Sequence, residues 1–358
     1  MKKNLMAIPL LLFVSLFLFH FSVMTTEAGD LQEGVWKRYL SEKESATLVE
    51  TAAEFKEAQE DGSSLADAEP KAMLSMMRDG FEKYATKSAD ILASVKIEPF
   101  DSHGVKGVWF KPKRAAENRV LLYFHGGGYV VGSSKTAAAI AGYLAHKAGI
   151  LCFALDYPLA PESPYPAALE NALKAYRMLL DKGFKPENIV FGGDSAGGGL
   201  ALAALLSIRD KGLPMPAGAY LLSPWTDLSN RFASHEIKKD VDILITADFL
   251  GTLASLYAKG EDLKNPLISP AFADLRGLPP LLIHVGSHET LLDDTLTVVR
   301  NAAMADVPVK LTVWPGYFHV FQMFSERFEG GRRALQDGAV FFKEVMQKTL
   351  LRPAGTGK

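Results

Sequence analysis

The chain has 358 residues, 48% of them hydrophobic and 22% charged, a composition that supports a sizeable core and excludes an intrinsically disordered protein. The formal net charge of −2 gives no indication of binding to nucleic acid or to an anionic surface. The single cysteine, Cys152, excludes an intrachain disulfide, and metal sites of the cysteine and histidine kind are excluded by the same count.

The N-terminus carries a long apolar segment. Lys2 and Lys3 precede the run 5–24, which contains few polar residues, and acidic residues follow it. This is the pattern of an export signal or a signal anchor whose N-terminus stays in the cytoplasm. We expect residues 1–28 to be a signal peptide or a signal anchor. The protein would then be exported, and would be either attached to the membrane by this segment or secreted or periplasmic after cleavage.

Residues 31–90 show no strand pattern. Apolar residues recur at helical spacing on both sides of a polar break at 59–64. The second stretch is rich in methionine, including Met73 and Met77. Methionines at helical spacing often belong to an ordinary hydrophobic core. Because flexible methionines also adapt to varied ligands, the second interpretation is a helical cap over an active site.

From residue 91 to residue 350, strand-like and helix-like runs alternate. The predicted strands are 91–99, 105–112, 119–124, 151–156, 188–192, 217–223, 281–285 and 309–314. The predicted helices are 136–148, 167–180, 200–209, 290–305 and 333–347. Unbroken apolar strands joined by helices indicate an α/β catalytic domain with a mostly parallel sheet covered on both faces. The charged segment 231–262, here called the insertion, interrupts this alternation on the expected cap side.

A glycine-serine-glycine pattern follows the predicted strand 188–192. Gly193, Ser195 and Gly197 stand at alternate positions before the predicted helix 200–209, which is typical of a nucleophile elbow. A serine on a sharp strand-to-helix turn needs a strained backbone, and side chains two residues away would collide with neighbouring elements. The pattern predicts a nucleophile at Ser195, with a glycine-rich turn that merely caps a helix as the alternative.

A second glycine-rich loop follows the third predicted strand. Gly126, Gly127 and Gly128 come directly after His125. Glycines at the C-terminal end of a strand leave backbone N–H groups free to point at a ligand, so this loop is a candidate oxyanion hole, with the N–H of Ala196 as a further donor. A flexible turn is the alternative. We expect His125 to brace the loop rather than to act as a base.

A serine nucleophile needs a base, and the base needs an orienting acid. His319, in the loop after the predicted strand 309–314, is the expected base because the order in this fold is serine, acid, histidine. Three carboxylates compete for the acid. Glu289 lies nearest its strand end and is the expected one, Asp293 is expected to brace the loop, and Asp294, about 100° further round the helix, is expected to be exposed.

Together these motifs resemble the hormone-sensitive-lipase family of α/β hydrolases over roughly residues 90–350. The matching segments are His125-Gly126-Gly127-Gly128, Asp156-Tyr157-x-Leu159-Ala160-Pro161-Glu162, Gly193-Asp194-Ser195-Ala196-Gly197-Gly198, Ser223-Pro224-Trp225 and His319-x-Phe321. There are two departures from the family. Pro158 stands where the family usually has arginine, and Glu289, the residue that matches the family's acid, stands where many members have aspartate. Neither departure removes a group that the chemistry requires.

The resemblance implies an α/β-hydrolase fold with a helical cap and hydrolysis of small-molecule carboxylic esters without a cofactor. It implies that Gly127, Gly128 and Ala196 donate to the oxyanion. The reaction would be two-step acyl transfer, in which His319 takes the proton of Ser195 as its oxygen attacks, and later activates water to release the acid.

The sequence leaves open the substrate preference and two alternative functions. Trp225 is a large group expected to narrow the substrate pocket, which favours short to medium acyl chains, although it could also be core. An amidase or deacetylase would use the same triad. A non-catalytic small-molecule receptor could share the fold, as plant gibberellin receptors do, but a receptor can lose the histidine and this chain keeps His319.

Overall fold

A computed structural model describes residues 38–63, 70–85 and 92–348. Its centre is a single eight-stranded sheet with the strand order β1-β2-β4-β3-β5-β6-β7-β8. The strands are β1 (Val95–Ser102), β2 (Val105–Pro112), β3 (Ala116–Phe124), β4 (Ile150–Leu155), β5 (Ile189–Asp194), β6 (Gly218–Leu222), β7 (Leu281–Gly286) and β8 (Val309–Trp314). β2 pairs antiparallel with β1 and β4, and all other pairs are parallel. The predicted α/β fold with a mostly parallel sheet is confirmed.

Helices connect most of the strands. They are α1 (Glu42–Ser63), α2 (Pro70–Ala85), α3 (Ala138–Ala148), α4 (Ala167–Asp181), α5 (Ala196–Asp210), α6 (Ser234–Ile237), α7 (Ala247–Ala258), α8 (Leu292–Met304) and α9 (Glu329–Lys348). α4, α5 and α8 bury their apolar residues against one face of the sheet, and α3 and α9 against the other. The central strands are buried on both faces, which explains why they read as unbroken apolar runs in the sequence.

The two N-terminal helices pack on the body of the domain near the C-terminal ends of the parallel strands. Leu48 of α1 lies in an aromatic cluster with Trp314 and Phe318, which belong to the end of β8 and the loop after it. Leu74 of α2 is buried in the main core. Arg78 of α2 also bonds to the carbonyl of Val130 in the loop after β3, so both helices lie at the edge of the sheet where ligands bind in open parallel sheets.

The insertion contains α6 and α7. Residues 1–28, the expected signal peptide or anchor, lie outside the described residues. Within the described ranges, none of the helices is both long enough and apolar enough to cross a membrane.

Candidate active site

Ser195 occupies the sharp turn between β5 and α5. Its backbone is in a strained region, with φ 53° and ψ −123°. A Cβ atom on Gly197 would lie 2.1 Å from the carbonyl oxygen of Phe124, and one on Gly193 would lie 2.3 Å from that of Gly197. Only glycine fits at these two positions, because backbone atoms cannot move aside as flexible side chains can. The strand-turn-helix context predicted for the elbow is observed.

His319 lies beside the serine, in the loop after β8. Its Nε2 atom is 3.0 Å from Oγ of Ser195. The imidazole is only 5% exposed, and this burial lowers the pKa of His319 from its usual 6.5. At neutral pH the ring is therefore uncharged and can accept a proton from the hydroxyl.

Glu289 lies on the other side of the imidazole. Its Oε2 atom is 3.4 Å from Nδ1 of His319, and the side chain is fully buried. Burial raises the pKa of the Glu289 carboxyl, while the hydroxyl of Ser223 and the backbone at Gly286 act in the opposite direction. The structure therefore brings the three predicted triad residues together in one line from Glu289 through His319 to Ser195.

The glycine loop after β3 lies next to the elbow, because Phe124 pairs with Gly193 across the two strands. Gly127 and Gly128 have φ values of 105° and 58°, which favour glycine. The carbonyl of Gly127 accepts hydrogen bonds of 3.0 Å from the N–H groups of Val130 and Val131. Ala196 is the first residue of α5, where a helical N–H has no partner within its own helix.

His125 and Asp194 hold this loop in place. The Nδ1 of His125 lies 2.7 Å from the carbonyl oxygen of Gly126, and its ring stacks on Tyr157 with 4.1 Å between the ring centres, as expected for a brace. Asp194, which the sequence analysis did not assign, is buried and accepts a 2.7 Å hydrogen bond from the hydroxyl of Tyr123. Burial raises the pKa of Asp194 to about 6, against the effects of Tyr123 and the backbone of Gly126. The position of Asp194 directly before Ser195 was the signal in the sequence that could have indicated a role in the site.

The expected exposure of Asp294 is wrong. The side chain is fully buried, and its Oδ1 atom accepts hydrogen bonds of 2.8 Å from the N–H groups of Thr226 and Asp227. Its Oδ2 atom lies 2.7 Å from Nε2 of His235. The loop after β6 and the short helix α6 cover this side of α8, so the carboxylate faces protein rather than water. Asp293 accepts a 2.8 Å hydrogen bond from the N–H of Ser234, in keeping with its predicted bracing role.

Trp225 is completely buried. Its indole N–H lies 3.1 Å from Oδ1 of Asn230 and 3.2 Å from the carbonyl oxygen of Asp227, and its ring lies near that of Tyr129. These contacts favour a packing role, and contact between Trp225 and substrate stays a prediction. Asp242 is a further buried carboxylate near the triad that the sequence analysis missed, because a lone aspartate in a charged segment gives no signal of burial.

Comparison with known proteins agrees with this geometry. A sequence profile of the alpha/beta hydrolase fold matches residues 121–323. The chain is 45% identical to an acetyl-hydrolase of Streptomyces hygroscopicus over 235 residues, which are 66% of this chain and 78% of that protein. It is 34% identical to an esterase of Acinetobacter venetianus over 309 residues, which are 86% of this chain and 96% of the esterase.

The fold also matches solved structures. A crystal structure of an esterase from the bacterial hormone-sensitive lipase family is 38% identical, with a TM-score of 0.74, and the match covers 76% of this chain and 92% of that one. These similarities agree with the motifs on the loops after β3 and β5 and with the mostly parallel sheet. The chain belongs to the hormone-sensitive-lipase family of α/β hydrolases.

Proposed function

We propose that this chain hydrolyses carboxylic esters of small molecules by two-step acyl transfer, with Ser195 as nucleophile, His319 as base and Glu289 as the orienting acid. The observation that carries the proposal is the 3.0 Å contact between Nε2 of His319 and Oγ of Ser195 at a strained elbow. Relatives named esterase and acetyl-hydrolase support the same reaction.

The geometry suggests the course of the reaction. Oγ of Ser195 attacks the ester carbonyl as its proton passes to Nε2 of His319, and Glu289 stabilises the imidazolium. The N–H groups of Gly127, Gly128 and Ala196 bind the oxyanion, and each such donor typically lowers the barrier by ~3 kcal/mol. The imidazolium protonates the leaving alcohol. Water, activated by His319, then releases the acid and regenerates the serine.

We further propose a preference for short to medium acyl chains. α7 packs closely on the oxyanion loop, since a Cβ atom on Gly128 would lie 2.3 Å from a methyl carbon of Leu253. The rings of Tyr129 and Tyr257 stack beside it with 3.8 Å between their centres. A loop packed this tightly leaves little room for a long acyl chain, and a relative named acetyl-hydrolase fits the same preference.

The N-terminal helices and the insertion are proposed to form the cap of this site. α1 is tied to the loop of His319, because Oε1 of Glu44 accepts a 2.7 Å hydrogen bond from the hydroxyl of Tyr317. α2 is tied to the loop after the oxyanion glycines, because Nε of Arg78 donates a 2.9 Å hydrogen bond to the carbonyl of Val130. Two loops that flank Ser195 are thus each held by one helix of the proposed cap.

The segment 1–28 supports a proposal of export, with attachment to the membrane if the segment is retained. The two lysines before a long apolar run carry this proposal. Carbonate extraction of membranes from expressing cells distinguishes the two forms: a retained anchor stays in the pellet, whereas a cleaved product is released and begins after residue 28 or close to it.

The substitution Ser195→Ala tests the function. We expect the variant to fold normally and to lose hydrolysis of p-nitrophenyl acetate and butyrate by several orders of magnitude, because the nucleophile is gone. Ser207→Ala, the same change in the buried part of α5, is the matched control and should keep its activity. A Ser195→Ala variant with half of the parent's activity would reject the assignment.

The same assay separates the remaining alternatives. Rates are measured over p-nitrophenyl esters of increasing acyl length and over the matching p-nitroanilides. Faster turnover of long-chain esters than of butyrate would contradict the proposed pocket, and faster turnover of the anilides would indicate an amidase. A chain that binds these compounds without turning any of them over would be a receptor.

A further inference from the structure

The residue after the proposed triad acid is held entirely by the insertion. The N–H of Thr290 donates a 2.7 Å hydrogen bond to Oδ2 of Asp242, and its hydroxyl donates one of 3.2 Å to the carbonyl of Ile245. Its carbonyl accepts a 2.6 Å hydrogen bond from the hydroxyl of Ser234. Every polar group of Thr290 is therefore bonded to the insertion, which fixes the backbone next to Glu289.

Asp242 is the charged member of this contact. It is only 4% exposed, and its Oδ1 atom accepts hydrogen bonds from the N–H groups of Leu244 at 2.9 Å and Ile245 at 3.2 Å. With Thr290, all three donors that the structure gives it are backbone N–H groups, which stabilise a carboxylate without neutralising its charge. Burial raises the pKa of Asp242 to about 6, so the group is ionised at pH 8.

Other carboxyl groups act on the imidazole of His319 through their charge. The charges of Asp242, Asp194 and Asp294 raise the pKa of His319 against the lowering effect of burial, and Asp242 has the largest effect of these three. Asp294 faces a histidine partner and Asp194 a tyrosine hydroxyl. Of these three residues, Asp242 is also the one whose hydrogen bond to Thr290 holds the backbone beside Glu289.

We propose that Asp242 is a second carboxylate supporting the catalytic base: a positioning residue that fixes the backbone beside Glu289 and whose negative charge stabilises the imidazolium of His319. This rests on the proposed ester hydrolysis. During attack the proton leaves Oγ of Ser195 for Nε2 of His319, and a positive charge forms on a buried ring. A fixed negative charge nearby lowers the energy of that state, and a residue in the insertion thereby takes part in the reaction without touching the substrate.

The test compares two neutral variants, Asp242→Asn and Asp242→Ser, with the parent in pH profiles of kcat and kcat/KM for p-nitrophenyl acetate. At pH 8 we expect kcat to fall about tenfold with KM within twofold. Removing the carboxylate removes an effect that raises the pKa of His319. The acid limb of kcat/KM should therefore move to lower pH. Asp242→Glu keeps the charge and should keep the acid limb of the parent.

Asp240→Asn is the matched control, because Asp240 is an exposed carboxylate in the same segment and the change in charge is the same. It should leave kcat and the acid limb unchanged. An unmoved acid limb in both neutral variants would overturn the proposal, since a purely structural role lowers activity equally at every pH. Failure of both neutral variants to fold would also overturn it, since the carboxylate would then be a requirement for folding. A failure of the proposed ester hydrolysis is distinguishable from a failure of this proposal, because the parent protein itself would then be inactive.

Discussion

At the scale of single residues, the same chemical group has different roles at positions close together in the chain. Glu289 and Asp294 are both fully buried carboxyls at the start of α8 or just before it. Glu289 faces His319 at 3.4 Å, whereas Asp294 faces His235 at 2.7 Å and the backbone after β6. Glu289 lies in the loop before α8 and contacts the proposed base, whereas Asp294 lies in the first turn of α8 and holds loops together.

This difference gives a paired prediction. We expect Glu289→Gln to lower kcat on the order of 10⁴-fold by analogy with other triad acids, with little change in the free energy of unfolding. Asp294→Asn should instead lower the free energy of unfolding by about 3 kcal/mol, because it removes a buried carboxylate that faces His235 and accepts two backbone hydrogen bonds. Urea unfolding and steady-state kinetics on both variants measure the two effects.

Asp181→Asn, at an exposed carboxylate ending α4, is the control and should change stability by less than about 0.5 kcal/mol. If Glu289→Gln lowered kcat only slightly, the role of the orienting acid would have to be assigned to another carboxyl group. An Asp294→Asn variant as stable as the control would mean that the pair with His235 contributes nothing to the fold.

At the scale of elements, the side chain of Arg78 fastens α2 to the oxyanion side of the site. The Arg78 guanidinium donates to the carbonyls of Val130 and Ala160 at 2.9 Å each. It also makes a two-pronged contact with the carboxylate of Glu162, with both distances 2.8 Å. Val130 follows the oxyanion glycines, so the helix bears directly on the loop that is proposed to bind the oxyanion.

Removing this contact should affect the reaction. We expect Arg78→Ala to lower kcat about tenfold, because a small shift of the N–H groups of Gly127 and Gly128 weakens their alignment with the oxyanion. Arg177→Ala, on the exposed side of α4, should keep the kcat of the parent. Steady-state kinetics on folded samples of both variants check this. A kcat for Arg78→Ala equal to that of the control would show that α2 does not position the loop.

The sequence could predict elements whose signal is local. The strands appear because apolar runs mark burial on both faces, and the elbow appears because Gly193, Ser195 and Gly197 form a short pattern between a strand and a helix. The exposure of Asp294 could not be predicted. Helical periodicity gives the direction of a side chain, but Asp294 is covered by Thr226 and His235, which lie 68 and 59 positions earlier in the chain.

At the scale of the whole molecule, the fold collects residues from distant parts of the chain at one edge of the sheet. The elbow follows β5, the oxyanion loop follows β3, and the acid and base follow β7 and β8. The insertion and the N-terminal helices then hold the loops of the acid, the base and the oxyanion glycines. The sequence motifs predicted this assembly. The contacts that hold its loops, such as the one between Asp242 and Thr290, join residues far apart in the chain and leave no pattern in the local sequence.

The central claim is that Ser195 attacks the ester carbonyl, and covalent labelling tests it most directly. The parent is treated with an organophosphate until ester hydrolysis stops, and its intact mass and peptide map are then measured. We predict one adduct per chain, on the peptide that contains Ser195, formed in parallel with the loss of activity and absent from Ser195→Ala. An adduct on another residue, or full activity after labelling of Ser195, would contradict the account.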